Sequence, residues 1–229
     1  MTAISQKSNK YAAGIIGILL LLFLISLIGS TWFLDFLGLS AINASVFFTS
    51  RMLYWLCLGL LWLYSVKIEK QDLLIWKERN YNILNYLLSI VVIFFVLMAG
   101  MLLIQGILAF TGFSKQSKTL NQIAIILKAN KPLLVFTALT AGVVEEFIMR
   151  GYIQPRLEII FKNSYAAIII SSLLFGLLHY KYGTFVNVAG PVFIGFVFAF
   201  YYWRYRNIKV LIVCHFLWDV ASLLLIKVH

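Results

Sequence analysis

Long unbroken apolar runs, separated by short polar connections, dominate this chain. Seven runs cover approximately 12–31, 45–66, 83–110, 132–157, 164–180, 185–203 and 210–226. A helix that spans a bilayer needs about 20 apolar residues, so each run is long enough or nearly so. Strands of a membrane barrel would instead alternate apolar and polar positions over about ten residues, and no such alternation is present. The pattern predicts an all-α fold: a polytopic membrane helical bundle of about seven, at most eight, transmembrane helices. An eighth, partial span would have to come from 111–131. Within that segment NQIAIILKAN reads as a short amphipathic helix lying on the membrane surface. Pro191, after Gly190, predicts a kink in the sixth helix. No internal repeat or low-complexity linker divides the chain. It reads as a single bundle, with 1–131 holding helices one to three and the amphipathic connection, and 132–229 holding helices four to seven.

Composition agrees. Of 229 residues, 62% are apolar and 12% charged, whereas soluble domains are about 45–50% apolar. The net charge of +11 does not indicate nucleic acid, because the basic residues sit in short connections between spans. That is the positive-inside pattern. Lys7, Lys10, Lys67, Lys70, Lys77, Arg79, Arg150, Arg156, Lys162, Arg204, Arg206 and Lys209 fall on one side. Lys115, Lys118, Lys128, Lys131, Lys181 and Lys227 fall on the other. The imbalance predicts a cytoplasmic N-terminus and a retained first helix. The richness in Ile, Leu, Lys and Asn suggests a bacterial plasma membrane. Cys57 and Cys214 lie in apolar runs and read as packed hydrophobes. In the first three helices only Arg51 stands out, and it is expected to snorkel to the interface. The chemistry is therefore expected in the second half.

There, five ionisable residues besides Arg150 interrupt apolar segments. Glu145 and Glu146 lie with Arg150 in GVVEEFIMRG, His179 closes FGLLH, and His215 and Asp219 belong to HFLWD. Each costs roughly 2.5–3.5 kcal/mol at membrane depth on insertion scales, and these residue types move protons or hold metals. Neighbours on an α-helix point about 100° apart, so the two glutamates cannot share one job. Glu146 and Arg150 are spaced for an ion pair, which leaves Glu145 free to face another helix as a general base. The midpoint between Glu145 and His179 falls in the polar EIIFKNS, so a hairpin there puts both at similar depth. Phe175 shares the face of His179. His215 and Asp219 share a face of the last helix, where Asp219 either orients His215 or points with it into the same cavity.

These motifs, EEFIMR, FGLLH and HFLWD, resemble the CPBP family of CAAX prenyl proteases and bacteriocin-processing intramembrane proteins, also called Abi. The family pattern is EExxxR, FxxxH and HxxxN or HxxxD on successive membrane helices. The resemblance covers about 132–225. It implies a glutamate-dependent intramembrane endopeptidase in which Glu145 activates water, His179 assists, and His215 and Asp219 stabilise the oxyanion. Eukaryotic members carry Asn at the last position. An ionised Asp219 cannot donate to an oxyanion, so it is either protonated or a charged partner of His215. The family is often labelled metalloprotease. If a metal such as zinc is present, Glu145, His179 and His215 would hold it, with Glu146 as base. No HExxH is present, and a metal-independent site is expected.

The expected partners are the lipid bilayer and a membrane-embedded or peptide substrate, cut near the cytoplasmic half of the bilayer. A competing function is a non-proteolytic bacteriocin immunity or regulatory protein. A proton-coupled transporter would need the repeats that are absent.

Overall fold

A computed structural model describes residues 3–29, 31–36, 38, 42–110 and 117–226. Lys115 and Lys227, used above for orientation, lie outside them. The helices are α1 (Ala3–Ser26), α2 (Thr31–Phe36), α3 (Ala44–Tyr64), α4 (Ile83–Phe110), α5 (Lys118–Ala129), α6 (Lys131–Thr140), α7 (Gln154–Phe161), α8 (Ser164–Leu177), α9 (Val186–Tyr205) and α10 (Ile208–Leu225). Two π-helical stretches, Ala141–Glu145 and Phe147–Ile153, join α6 to α7 in one continuous span. A third π-turn, Ser65–Glu69, ends α3.

Seven helices among the described residues are long and apolar enough to cross a membrane. They are Gln6–Ser26, Ala44–Glu69, Ile83–Phe110, Lys131–Phe161, Ser164–Tyr182, Val186–Tyr205 and Ile208–Leu225. Each matches one of the seven apolar runs. Lipid-facing side chains such as Phe95, Leu102 and Leu103 are exposed, as expected where the solvent is hydrocarbon.

The turns have local causes. Lys162 and Arg206 adopt left-handed φ values of 52° and end their helices. The next residue in each case, Asn163 or Asn207, caps the following helix by accepting from Ala166 N or Val210 N. Asn43 and Asn130 cap α3 and α6 in the same way. The α7–α8 turn falls in EIIFKNS, as expected. Helix α9 continues through Pro191.

The segment between α3 and α4 anchors both halves. Glu78 accepts from Tyr202 Oη and from Ile208 N, each at 2.7 Å. Asn207 Nδ2 donates to Arg79 O at 2.8 Å.

Three expectations are corrected. The NQIAIILKAN helix exists as α5, but Ile123 and Leu127 are buried against Phe47, Leu133 and Leu134, and Ala124 is buried too. Its apolar face packs on protein rather than on lipid. Arg156, assigned above to a charged connection, is fully buried in an ion network with Glu69. Arg51 does not snorkel. It is 9% exposed and lines an internal cavity. Cys57 and Cys214 are free and buried, as expected.

Candidate active site

The α6–α7 span carries the first motif, and π-helical turns flank Glu146 on both sides. π-turns within helices occur frequently at functional sites. Glu146 is fully buried. Its Oε1 accepts from Arg150 Nη1 at 3.1 Å and lies 2.8 Å from His215 Nδ1. Arg150 is also buried. It donates from Nη2 to Gly195 O at 3.2 Å and stacks over Phe175 at 4.6 Å and Phe198 at 5.5 Å. The expected Glu146–Arg150 pair is thus present, with His215 as a further partner.

Glu145 does neither job. It is partly exposed and lines a cavity of about 490 Å³ together with His179, His215 and Asp219. The five expected site residues therefore divide into an anchor, Glu146, and four cavity residues.

His179 ends the turn after α8. Its Nδ1 lies 2.8 Å from Phe175 O. A carbonyl only accepts, so Nδ1 carries the proton and Nε2 keeps its lone pair in the neutral ring. Phe175 packs beside both histidines, with ring centroids 4.9 Å from His179 and 5.9 Å from His215. Only 2% exposed, it forms an apolar wall between them.

On α10, His215 is oriented through Nδ1 by Glu146. Asp219 Oδ2 is 3.8 Å from His215 Nε2, beyond hydrogen-bonding distance, and the Asp219 side chain is 28% exposed. Of the two expectations for Asp219, the geometry matches pointing into the same cavity rather than orienting His215. Gly142 lets α10 come this close. A Cβ there would stand 2.8 Å from Ile212 O and 3.1 Å from Phe216 N. Any side chain at 142 would push His215 away from Glu146.

Among the described residues, no three His, Cys, Asp or Glu side chains are grouped closely enough to hold a metal ion. Both histidines bond through Nδ1, one to a carbonyl and one to Glu146, which leaves each Nε2 lone pair uncommitted in the neutral ring.

Sequence reasoning missed Arg51, which lines this cavity from α3. A signal was present: Arg51 lies well inside an apolar run, with Phe47 four residues before it and Tyr54 three after. That spacing puts both aromatic rings on the arginine's own face.

The cavity reaches from Glu145 at mid-span towards Leu120, Tyr182 and Ile226. This is the end of the bundle opposite the Lys162 and Arg206 turns. A cytoplasmic N-terminus puts that end outside. Cleavage in the cytoplasmic half, as expected above, would require the opposite orientation.

Residues 128–221 match the family model described as type II CAAX prenyl endopeptidase, Rce1-like. No curated protein and no solved structure matches the chain. The matched segment contains all three motifs. It is the signature of a protease family, and with seven apolar spans it supports a membrane-embedded hydrolase.

Proposed function

We propose, from the match of residues 128–221 to the Rce1-like CAAX endopeptidase model, that the chain is an intramembrane endopeptidase using Glu145 to activate water. One observation carries this reading. The adjacent glutamates are divided, with Glu146 buried against Arg150 and His215 and Glu145 left facing the cavity.

In the proposed reaction the Glu145 carboxylate takes a proton from water as the water oxygen bonds to the scissile carbonyl carbon. His179 Nε2, held in place by the Nδ1 bond to Phe175 O, assists in positioning that water. The carbonyl oxygen becomes an oxyanion and is stabilised from the α10 side. With Nδ1 committed to Glu146, His215 can donate from Nε2 only as the imidazolium, and Asp219 only when protonated. Donors aimed at developing charge are worth about 2.7–4 kcal/mol each. Glu145 then passes its proton to the amide nitrogen, the C–N bond breaks, and an amine and a carboxylic acid form, the acid giving its remaining proton back to Glu145 or to water as it leaves as the carboxylate. Arg150 touches no reacting atom; it positions Glu146, which positions His215. No metal enters this scheme.

The substrate is a membrane-associated peptide or protein segment that enters the partly apolar cavity. The decisive experiment compares new peptide termini in membranes expressing wild type or Glu145→Ala at equal levels. Termini present only with wild type support the reading. Identical sets, with a cellular phenotype still lost in Glu145→Ala, would move the protein to the non-proteolytic immunity or regulatory class. Reversible loss of cleavage on chelation, with one stoichiometric zinc per chain, would overturn the metal-free scheme.

A further inference from the structure

The hydrolytic scheme makes no use of Arg51. This residue lies within the span Ala44–Glu69 and is buried. Its guanidinium is held over the ring of Phe47 at 4.9 Å and that of Tyr54 at 4.5 Å. Nε donates to Ser50 Oγ at 3.3 Å. Among the described residues no carboxylate pairs with it; the ion pairs belong to Glu146, Glu69 and Asp219. Asp219, across the cavity, feels the Arg51 charge without pairing with it, and a buried guanidinium without a direct carboxylate partner is costly. Arg150 and Arg156, the other buried arginines, each have a glutamate.

The position of Arg51 suggests what would complete it. It lines the main cavity with Glu145 and His215. It also lines a smaller cavity beside Glu145, His179 and Tyr182, and a third, largely apolar cavity of about 380 Å³ that reaches Lys181. An occupant of any of the three meets the same guanidinium. The Nε bond uses one edge of its planar fork. Tyr54 also interacts with the guanidinium, and the remaining Nη donors suit a carboxylate, which the planar fork can match with parallel hydrogen bonds.

We propose that Arg51 is a specificity-determining residue that reads a carboxylate on the substrate, carried by an apolar peptide a short distance from the bond to be cut. The carboxylate belongs either to an acidic side chain or to a chain terminus. This rests on the reading of the cavity as a peptide site. The aromatic clamp fixes where the carboxylate sits, and so fixes which carbonyl is presented to Glu145.

The test reads binding without cleavage. The full chain carrying Glu145→Gln is placed in lipid nanodiscs and titrated against dansyl-labelled nonapeptides of leucine and alanine. One peptide has a free C-terminal carboxylate, one a C-terminal amide, and one the amide with a single internal glutamate. Charge-assisted hydrogen bonds predict that one of the acidic peptides binds about tenfold or more tightly than the neutral amide. The acidic peptide that wins identifies the source of the carboxylate. Arg51→Gln should remove the preference, and Arg51→Lys should retain part of it. Equal binding of all three peptides overturns the proposal. So does a preference that survives Arg51→Gln in a protein with unchanged thermal unfolding. If Arg51→Gln does not fold, the peptide comparison in the parent and in Arg51→Lys decides. Absence of Glu145-dependent termini would sink the protease reading independently of this result.

Discussion

Two buried arginine–glutamate clusters sit on the same membrane span, and they are built differently. Around Arg156 every side-chain nitrogen is used. Nε and Nη2 donate to Glu69 Oε2 at 2.9 and 2.6 Å, Nη2 also to Ser65 Oγ, and Nη1 to Leu73 O and Tyr152 O. The other Glu69 oxygen accepts from Tyr152 Oη at 2.5 Å. Around Arg150, two buried atoms, Arg150 Nε and Glu146 Oε2, find no partner among the described residues, and Glu145 beside them faces a cavity. A cluster that only holds helices together closes its hydrogen bonds on itself. The cluster around Arg150 instead carries side chains, Glu145 and His215, that line a cavity. Sequence spacing alone cannot distinguish the two; the inventory of partners does.

The sharpest way to break this contrast is Glu145→Gln. It should lower cleavage by about 10²–10⁴-fold, the usual worth of a general base, while thermal unfolding in detergent stays at the wild-type value. A comparable loss of stability would put Glu145 in the structural class. Glu69→Gln should do the opposite. Removing one partner of a buried pair costs about 3–5 kcal/mol, so the unfolding midpoint should fall sharply, with any residual activity proportional to folded protein. A smaller effect is expected from Gly142→Ala, where overpacking costs about 1–3 kcal/mol. Because the added methyl meets α10, kcat should fall further than the folded fraction does. Gly59→Ala, with open space around its Cβ position, is the matched control. The smallest change is expected for Asp219→Asn, because the amide can donate to the oxyanion as a protonated Asp219 would. Its cleavage rate should drop less than that of His179→Ala, and a larger drop would show that Asp219 acts through its charge instead.

The seven spans were legible because lipid requires long apolar stretches, and length and hydropathy are properties of sequence. The Glu146–Arg150 pair and the shared cavity of Glu145 and His179 were legible because helical spacing and hairpin symmetry fix them. The bond from His215 to Glu146 was not. It depends on a π-turn and on the close approach at Gly142, neither of which has a periodic signature. Arg51 and Arg156 were misplaced for a common reason: a charge in or near the end of an apolar run reads as interfacial. Whether it folds back into protein depends on partners far away in sequence, here 87 residues apart for Glu69 and Arg156.

The clasp at Glu78 bears on how the molecule could be divided. Glu78 supplies the acceptor for the first amide of α10, and Arg79 supplies the acceptor for the asparagine that caps it. Both belong to the segment ahead of the family-matched stretch, as does Glu69, the counter-charge of Arg156. Residues 128–221 expressed alone would enter the bilayer with a helix start and a guanidinium left bare. The family-matched stretch is therefore not a self-sufficient folding unit. Supplied as two separate polypeptides, the halves should regain function only together, and the docking that restores them should run through Glu69, Glu78 and Arg79.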